Sequence, residues 1–115
     1  VEMNLQVELS KEDLVHYFKV IGEVDAFTAP VLKERLVSVQ DIPGLQAEID
    51  LSEVDYIDST GLGIFIGFYK ALKGKEGYVK MTGVNARLKR LFEITGIDKI
   101  IDIEVEEGGS RDATV

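Results

Sequence analysis

Apolar and polar residues alternate from the start of the chain. Met3, Leu5, Val7 and Leu9 fall on one side and Glu2, Asn4, Gln6 and Glu8 on the other. A period of two predicts a strand with one buried and one wet face. Ser10–Asp13 reads as a polar turn. Leu14–Ile21, denser in apolar residues (Val15, Tyr17, Phe18, Val20, Ile21), reads as a more central strand closed by Gly22-Glu23-Val24-Asp25. Two strands with so short a link are expected to be antiparallel neighbours.

The period then changes. Thr28-Ala29-Pro30 has the form of a helix start, with Thr28 as N-cap and Pro30 in the first turn. Leu32, Leu36 and Val39 follow at helical spacing, and Pro43-Gly44 ends the segment. Ala47, Ile49 and Leu51 alternate with Glu48 and Asp50, predicting a third strand. A helix over Thr60–Lys73, a strand over Tyr78–Thr82 and a helix over Asn85–Thr95 come next. That last helix carries Leu88, Leu91 and Phe92 and is stopped by Gly96; a short strand over Ile100–Ile103 follows. The order β-β-α-β-α-β-α-β predicts an α/β fold, with right-handed crossovers and a mostly parallel sheet extended by an antiparallel N-terminal strand. Residues 1–104 are expected to form one domain. Residues 105–115, which lose periodicity and carry Gly108-Gly109-Ser110, are expected to be a flexible tail.

Composition narrows the function classes. A chain of 115 residues suits a single domain. With no cysteine, disulfides, thiolate metal sites and cysteine nucleophiles are excluded, and His16, the lone histidine, excludes a multi-histidine metal site. A net charge of −8 argues against nucleic acid or an anionic membrane as a partner. The longest apolar-or-glycine run, Gly61–Tyr69, is far short of the roughly 20 residues that span a bilayer. With no basic-then-apolar leader in view, the expected home is the cytoplasm.

The chemistry concentrates in Asp55-Tyr56-Ile57-Asp58-Ser59-Thr60-Gly61-Leu62-Gly63, between a strand and a helix. Ser59 sits where an N-cap belongs. A helix N-terminus also favours negative charge, so a phosphate on Ser59 should leave the fold intact while adding about −1.5 to −2 charge beside Asp58. Glycine within a helix costs about 1 kcal/mol relative to alanine, and Gly61, Gly63 and Gly67 all fall in this one. Close packing is the expected reason at Gly67. At Gly61 and Gly63 it competes with the need to bare the helix start to a partner.

Hydrolase chemistry finds little support. The nucleophile elbow needs glycine two residues before the serine, where Ile57 stands, and the sole candidate base, His16, lies mid-strand among apolar neighbours. The phosphate-cradling Gly-x-x-x-x-Gly-Lys-Ser/Thr pattern is absent. Asp55 and Asp58 read as solvated surface charge. No catalytic set emerges, and neither an enzyme activity nor a cofactor is expected.

Three segments together resemble a known family: Gly22-Glu23-Val24-Asp25, Asp58-Ser59-Thr60-Gly61-Leu62-Gly63, and Arg90-Leu91-Phe92-Glu93-Ile94-Thr95-Gly96. Over about residues 3–103 the chain resembles the anti-sigma-factor antagonists, built on the domain shared by sulfate transporters and anti-sigma antagonists (STAS), and most closely the general-stress type of Gram-positive bacteria. The resemblance implies partner switching. The unphosphorylated antagonist binds an anti-sigma factor that is also a serine kinase, and so frees a sigma factor. The kinase phosphorylates the serine after the motif aspartate, here Ser59, and the complex ends; a serine phosphatase of the metal-dependent PP2C class reverses it. By the same resemblance Asp25, Asp58, Ser59, Thr60, Gly61 and Leu62 would line the kinase-binding face, on a monomer or weak dimer. A scaffold subunit of a stress-sensing complex, or an accessory subunit of a transport system, are the alternatives.

Overall fold

The computed structural model describes residues 4–106. β1 (Leu5–Glu12) and β2 (Val15–Val24) form an antiparallel hairpin, and three crossovers follow. α1 (Ala29–Val37) leads to β3 (Gln46–Ile57), α2 (Ser59–Lys73) to β4 (Tyr78–Val84), and α3 (Ala86–Thr95) with a 3-10 turn at Ile97–Lys99 to β5 (Asp102–Val105). The sheet order is β1-β2-β3-β4-β5, and every pair after the hairpin is parallel. The expected α/β architecture and element order are therefore present.

The hairpin is tighter than the polar residues suggested. Ser10, Lys11 and Glu12 pair with Tyr17, His16 and Val15, leaving Asp13 and Leu14 as the turn, with Asp13 at φ 57°. Their polarity reflects an edge strand with a wet side, not a loop. β2 also outlasts the expected stop at Gly22. That glycine, at φ 114°, lies so close to β1 that a Cβ would stand 2.3 Å from the Asn4 carbonyl oxygen. The pairing with β3 shifts register there and resumes at Glu23 and Val24. Gly22 thus marks a bulge and not a strand end. β5 lies two residues later than expected and includes Glu104 and Val105. The remainder of the expected tail, 107–115, is outside the described residues, as is Met3.

One face of the sheet carries the core. Phe18 and Val20 of β2, Ala47, Ile49 and Leu51 of β3, and Val79 and Met81 of β4 are buried there against Leu32 and Leu36 of α1, Phe65, Phe68 and Leu72 of α2, and Leu88 and Phe92 of α3. The opposite face keeps Tyr17, Lys19, Glu48, Asp50 and Lys80 in contact with water, with ion pairs Lys19–Glu53 and Lys80–Glu104 at 2.9 Å. His16 is buried near the amino end of β2, and among the described residues its Nδ1 has no hydrogen-bond partner. Burial, and secondarily Lys11, hold its pKa below the ordinary histidine value. No helix among the described residues is long and apolar enough to cross a membrane.

Candidate functional site

The parallel strands β2, β3 and β4 each end in an Asx residue followed by a helix: Asp25, Asp58 and Asn85. At a strand-to-helix junction the first helical N–H groups lack intrahelical partners, and a short side-chain acceptor satisfies them. Asn85 does so for α3, its Oδ1 accepting from Leu88 N–H at 2.8 Å. At α2 the cap is Asp58, in extended backbone (φ −103°, ψ −174°), its Oδ1 accepting from Thr60 N–H at 2.9 Å and Gly61 N–H at 3.1 Å.

Ser59 is therefore not the N-cap, as its place in the sequence suggested, but the first residue of α2. Asp58 alone has the extended backbone from which a side chain reaches back over the helix start. Relieved of capping, Ser59 is exposed, and among the described residues its hydroxyl makes no hydrogen bond. The Thr60 and Gly61 N–H groups are already held by Asp58.

The glycines separate into two kinds. A Cβ on Gly61 would meet Val24 Cγ1 at 2.5 Å, so this glycine lets the start of α2 lie directly on the end of β2. The Asp58 N–H, donating to the Val24 carbonyl at 3.0 Å, ties the same two segments. Close packing does not explain Gly63 and Gly67: among the described residues a Cβ at either would meet nothing within 4 Å. Both face a groove of about 360 Å³ between α1 and α2, lined also by Lys33, Leu36, Thr60 and Phe68.

Asp25 belongs to a second tightly bonded turn. Its Oδ1 accepts from Phe27 N–H and Thr28 N–H, both at 2.9 Å. Thr28 occupies the N-cap position of α1, but its side chain caps no helical N–H. The buried Thr28 hydroxyl instead donates to the Glu23 carbonyl at 2.8 Å and accepts from Asp25 N–H at 3.0 Å. A buried hydroxyl so paired fixes the loop, because leaving it unpaired would cost about 1–3 kcal/mol. Between these anchored residues Phe27 is 59% exposed.

The structure thus brings the expected residues together at the carboxyl end of the sheet, but in different roles. Ser59 and Thr60 are open to solvent and Asp25 and Asp58 are half-buried, their Oδ1 atoms engaged within the chain. Gly61 and Leu62 are buried and shape the helix start. Tyr56, 52% exposed as the penultimate residue of β3, and Phe27 stand at the same end. Sequence reasoning passed over Phe27. The spacing of an aspartate two and three residues before its bonded N–H groups, shared by Asp25 and Asp58, was the available signal. His16 lies near the other end of β2, away from Ser59, as a buried structural residue.

Known proteins share this domain. The STAS domain matches residues 6–108. The chain is 46% identical over 107 residues to the anti-sigma-B factor antagonist of Listeria monocytogenes, covering 92% of this chain and 94% of that protein. It is 42% identical over 108 residues to the anti-sigma-B factor antagonist of Bacillus subtilis, covering 93% and 98%. The crystal structure of an anti-sigma factor antagonist from Mycobacterium paratuberculosis superposes with a TM-score of 0.78 at 28% identity, covering 87% of this chain and 85% of that one. With a domain match across most of its length and relatives this similar, the chain belongs to the STAS domain family.

Proposed function

We propose that the protein is an anti-sigma-factor antagonist: unphosphorylated, it binds an anti-sigma factor that is a serine kinase and so releases a sigma factor. Phosphorylation of Ser59 ends the complex, and a PP2C-type phosphatase restores it. The observation that carries this reading is the Asp58–Gly61 turn, which holds Ser59 exposed and unbonded on a rigid helix start. The 46% identity to an anti-sigma-B factor antagonist supports it.

The geometry supplies a mechanism. Asp58 keeps α2 capped whether or not Ser59 is modified, so the phosphate need not rearrange the helix. It adds about −1.5 to −2 charge at neutral pH, beside Asp58 and on a protein whose net charge is already −8. A surface docked against Ser59 loses its fit through bulk, and through the cost of burying uncompensated charge. In this account the chain is the substrate of the chemistry; ATP and its metal belong to the kinase.

A displacement assay tests the reading. A preformed complex of kinase and sigma factor should release sigma on addition of this protein, and recapture it after ATP is supplied. Sigma factor that stays bound at saturating antagonist would contradict the proposal.

A further inference from the structure

A single exposed apolar residue ordinarily needs no explanation. Phe27 differs in three ways. Its ring is 59% exposed, although the turn that carries it is among the most heavily bonded in the molecule: Asp25 Oδ1 holds its own N–H, and Thr28 on one side is locked to Glu23 and Asp25. It lies beside the Ser59 turn, because Val24, three residues before it, packs on Gly61 and accepts from Asp58 N–H. And it rises from mainly acidic surroundings, with Glu23, Asp25, Asp55 and Asp58 at the same end of the sheet, where the Arg87 guanidinium reaches the Asp55 carbonyl.

An aromatic ring on a stiff turn loses little conformational freedom when buried, the property that makes such residues dominate the energetics of interfaces. From these observations we infer that Phe27 is the apolar anchor of the partner interface, and that Asp25 is a positioning residue which holds it there. This rests on the function proposed above and names how that same site grips its partner. The matching surface on the kinase is an apolar pocket for the ring, edged by lysine or arginine to meet the Glu23 and Asp55 carboxylates, while that of Asp25 is engaged within its own turn. The anchor and the switch are then separate parts: Phe27 supplies affinity, and Ser59, on the adjoining turn, carries the charge that cancels it.

The test is a titration of the full chain against the kinase without ATP, with thermal unfolding of every variant alongside. Phe27→Ala should weaken binding about tenfold or more without lowering the unfolding temperature, and Phe27→Leu should recover part of the loss. Asp25→Ala should weaken binding too, but add little once Phe27 is already alanine, as residues acting through one contact do. Asp25→Asn, whose amide oxygen still accepts from Phe27 and Thr28 N–H, should bind like the wild type. Phe27→Ala binding within twofold of the wild type would overturn the anchor. Asp25→Asn as weak as Asp25→Ala would overturn the positioning role, because the carboxylate charge would then be what the partner reads. No complex with the wild-type chain at all would overturn the functional reading, and this inference with it.

Discussion

The turns that follow β2 and β3 share a plan and differ in what they expose. In each, one aspartate oxygen takes the N–H groups two and three residues on: Asp25 those of Phe27 and Thr28, Asp58 those of Thr60 and Gly61, all at 2.9–3.1 Å. After Asp58 the helix begins at once, so the next residue, Ser59, becomes an exposed hydroxyl on a rigid start. After Asp25 the helix waits until Ala29, and the chain makes a loop that Thr28 anchors from within and Phe27 faces from without. The position after the aspartate is Ala26 in the first turn and Ser59 in the second. The same local physics therefore yields one turn that exposes an aromatic ring and one that exposes a hydroxyl, the anchor and the phosphate acceptor of the proposed switch. Gly61, with no side chain to separate them, keeps the two in contact.

The largest expected effect lies at the second turn. Ser59→Ala should abolish phosphate acceptance outright, while changing stability by no more than about 0.5 kcal/mol, since the side chain makes no cap. Intact-mass measurement after incubation with kinase and ATP, paired with chemical unfolding, checks both halves. Thr28→Val should disrupt the first turn instead, lowering stability by about 1–3 kcal/mol through the unpaired Asp25 N–H and Glu23 carbonyl. Equal unfolding curves for this variant and the wild type would mean the turn is not held by its hydroxyl.

Gly61→Ala and Gly67→Ala separate the two roles of glycine in α2. The first should destabilise by about 1–3 kcal/mol, as the methyl is forced into Val24. The second should stabilise by up to about 1 kcal/mol, since nothing stands within 4 Å to oppose the gain in helix propensity. Asp58→Ala should lose about 1 kcal/mol with the cap, and Asp58→Asn much less, both read by thermal unfolding.

The smallest effect tests the end of the sheet remote from both turns. His16 has a lowered pKa in the folded chain, so its neutral form is preferred there. The unfolded chain then binds more protons below the ordinary histidine pKa of about 6.5. Stability should be full above that pH and fall as the pH drops through and below it, before most carboxylates titrate. His16→Leu should flatten this dependence below about pH 6.5. A slope unchanged by the substitution would place the titration elsewhere.

The periodicity of the chain gave the order of elements correctly because each strand buries one face and each helix one stripe, as Ala47, Ile49, Leu51 and Leu88, Phe92 illustrate. It misjudged places where one residue serves two grammars. Gly22 has the look of a terminator but acts as a bulge, since the close approach of Asn4 is set by strand pairing and not by local sequence. Asp58, Ser59 and Thr60 are all good caps; the choice among them depends on where β3 ends, which the pairing of Ile57 with Val24 decides. Phe27, within the short Asp25-Ala26-Phe27-Thr28 turn between a strand and a helix, leaves no periodic trace. Its exposure follows from the bonding of its neighbours.

The central claim is that Ser59, freed from capping by Asp58, is the residue whose modification breaks the complex. The most direct measurement incubates the wild-type protein with its kinase and ATP, maps phosphate by peptide mass spectrometry, and follows the complex in parallel. The account predicts a single phosphate on Ser59, and a complex that disappears in proportion to it. Phosphate on Thr60 with Ser59 unmodified, or a complex that survives full modification of Ser59, would contradict it.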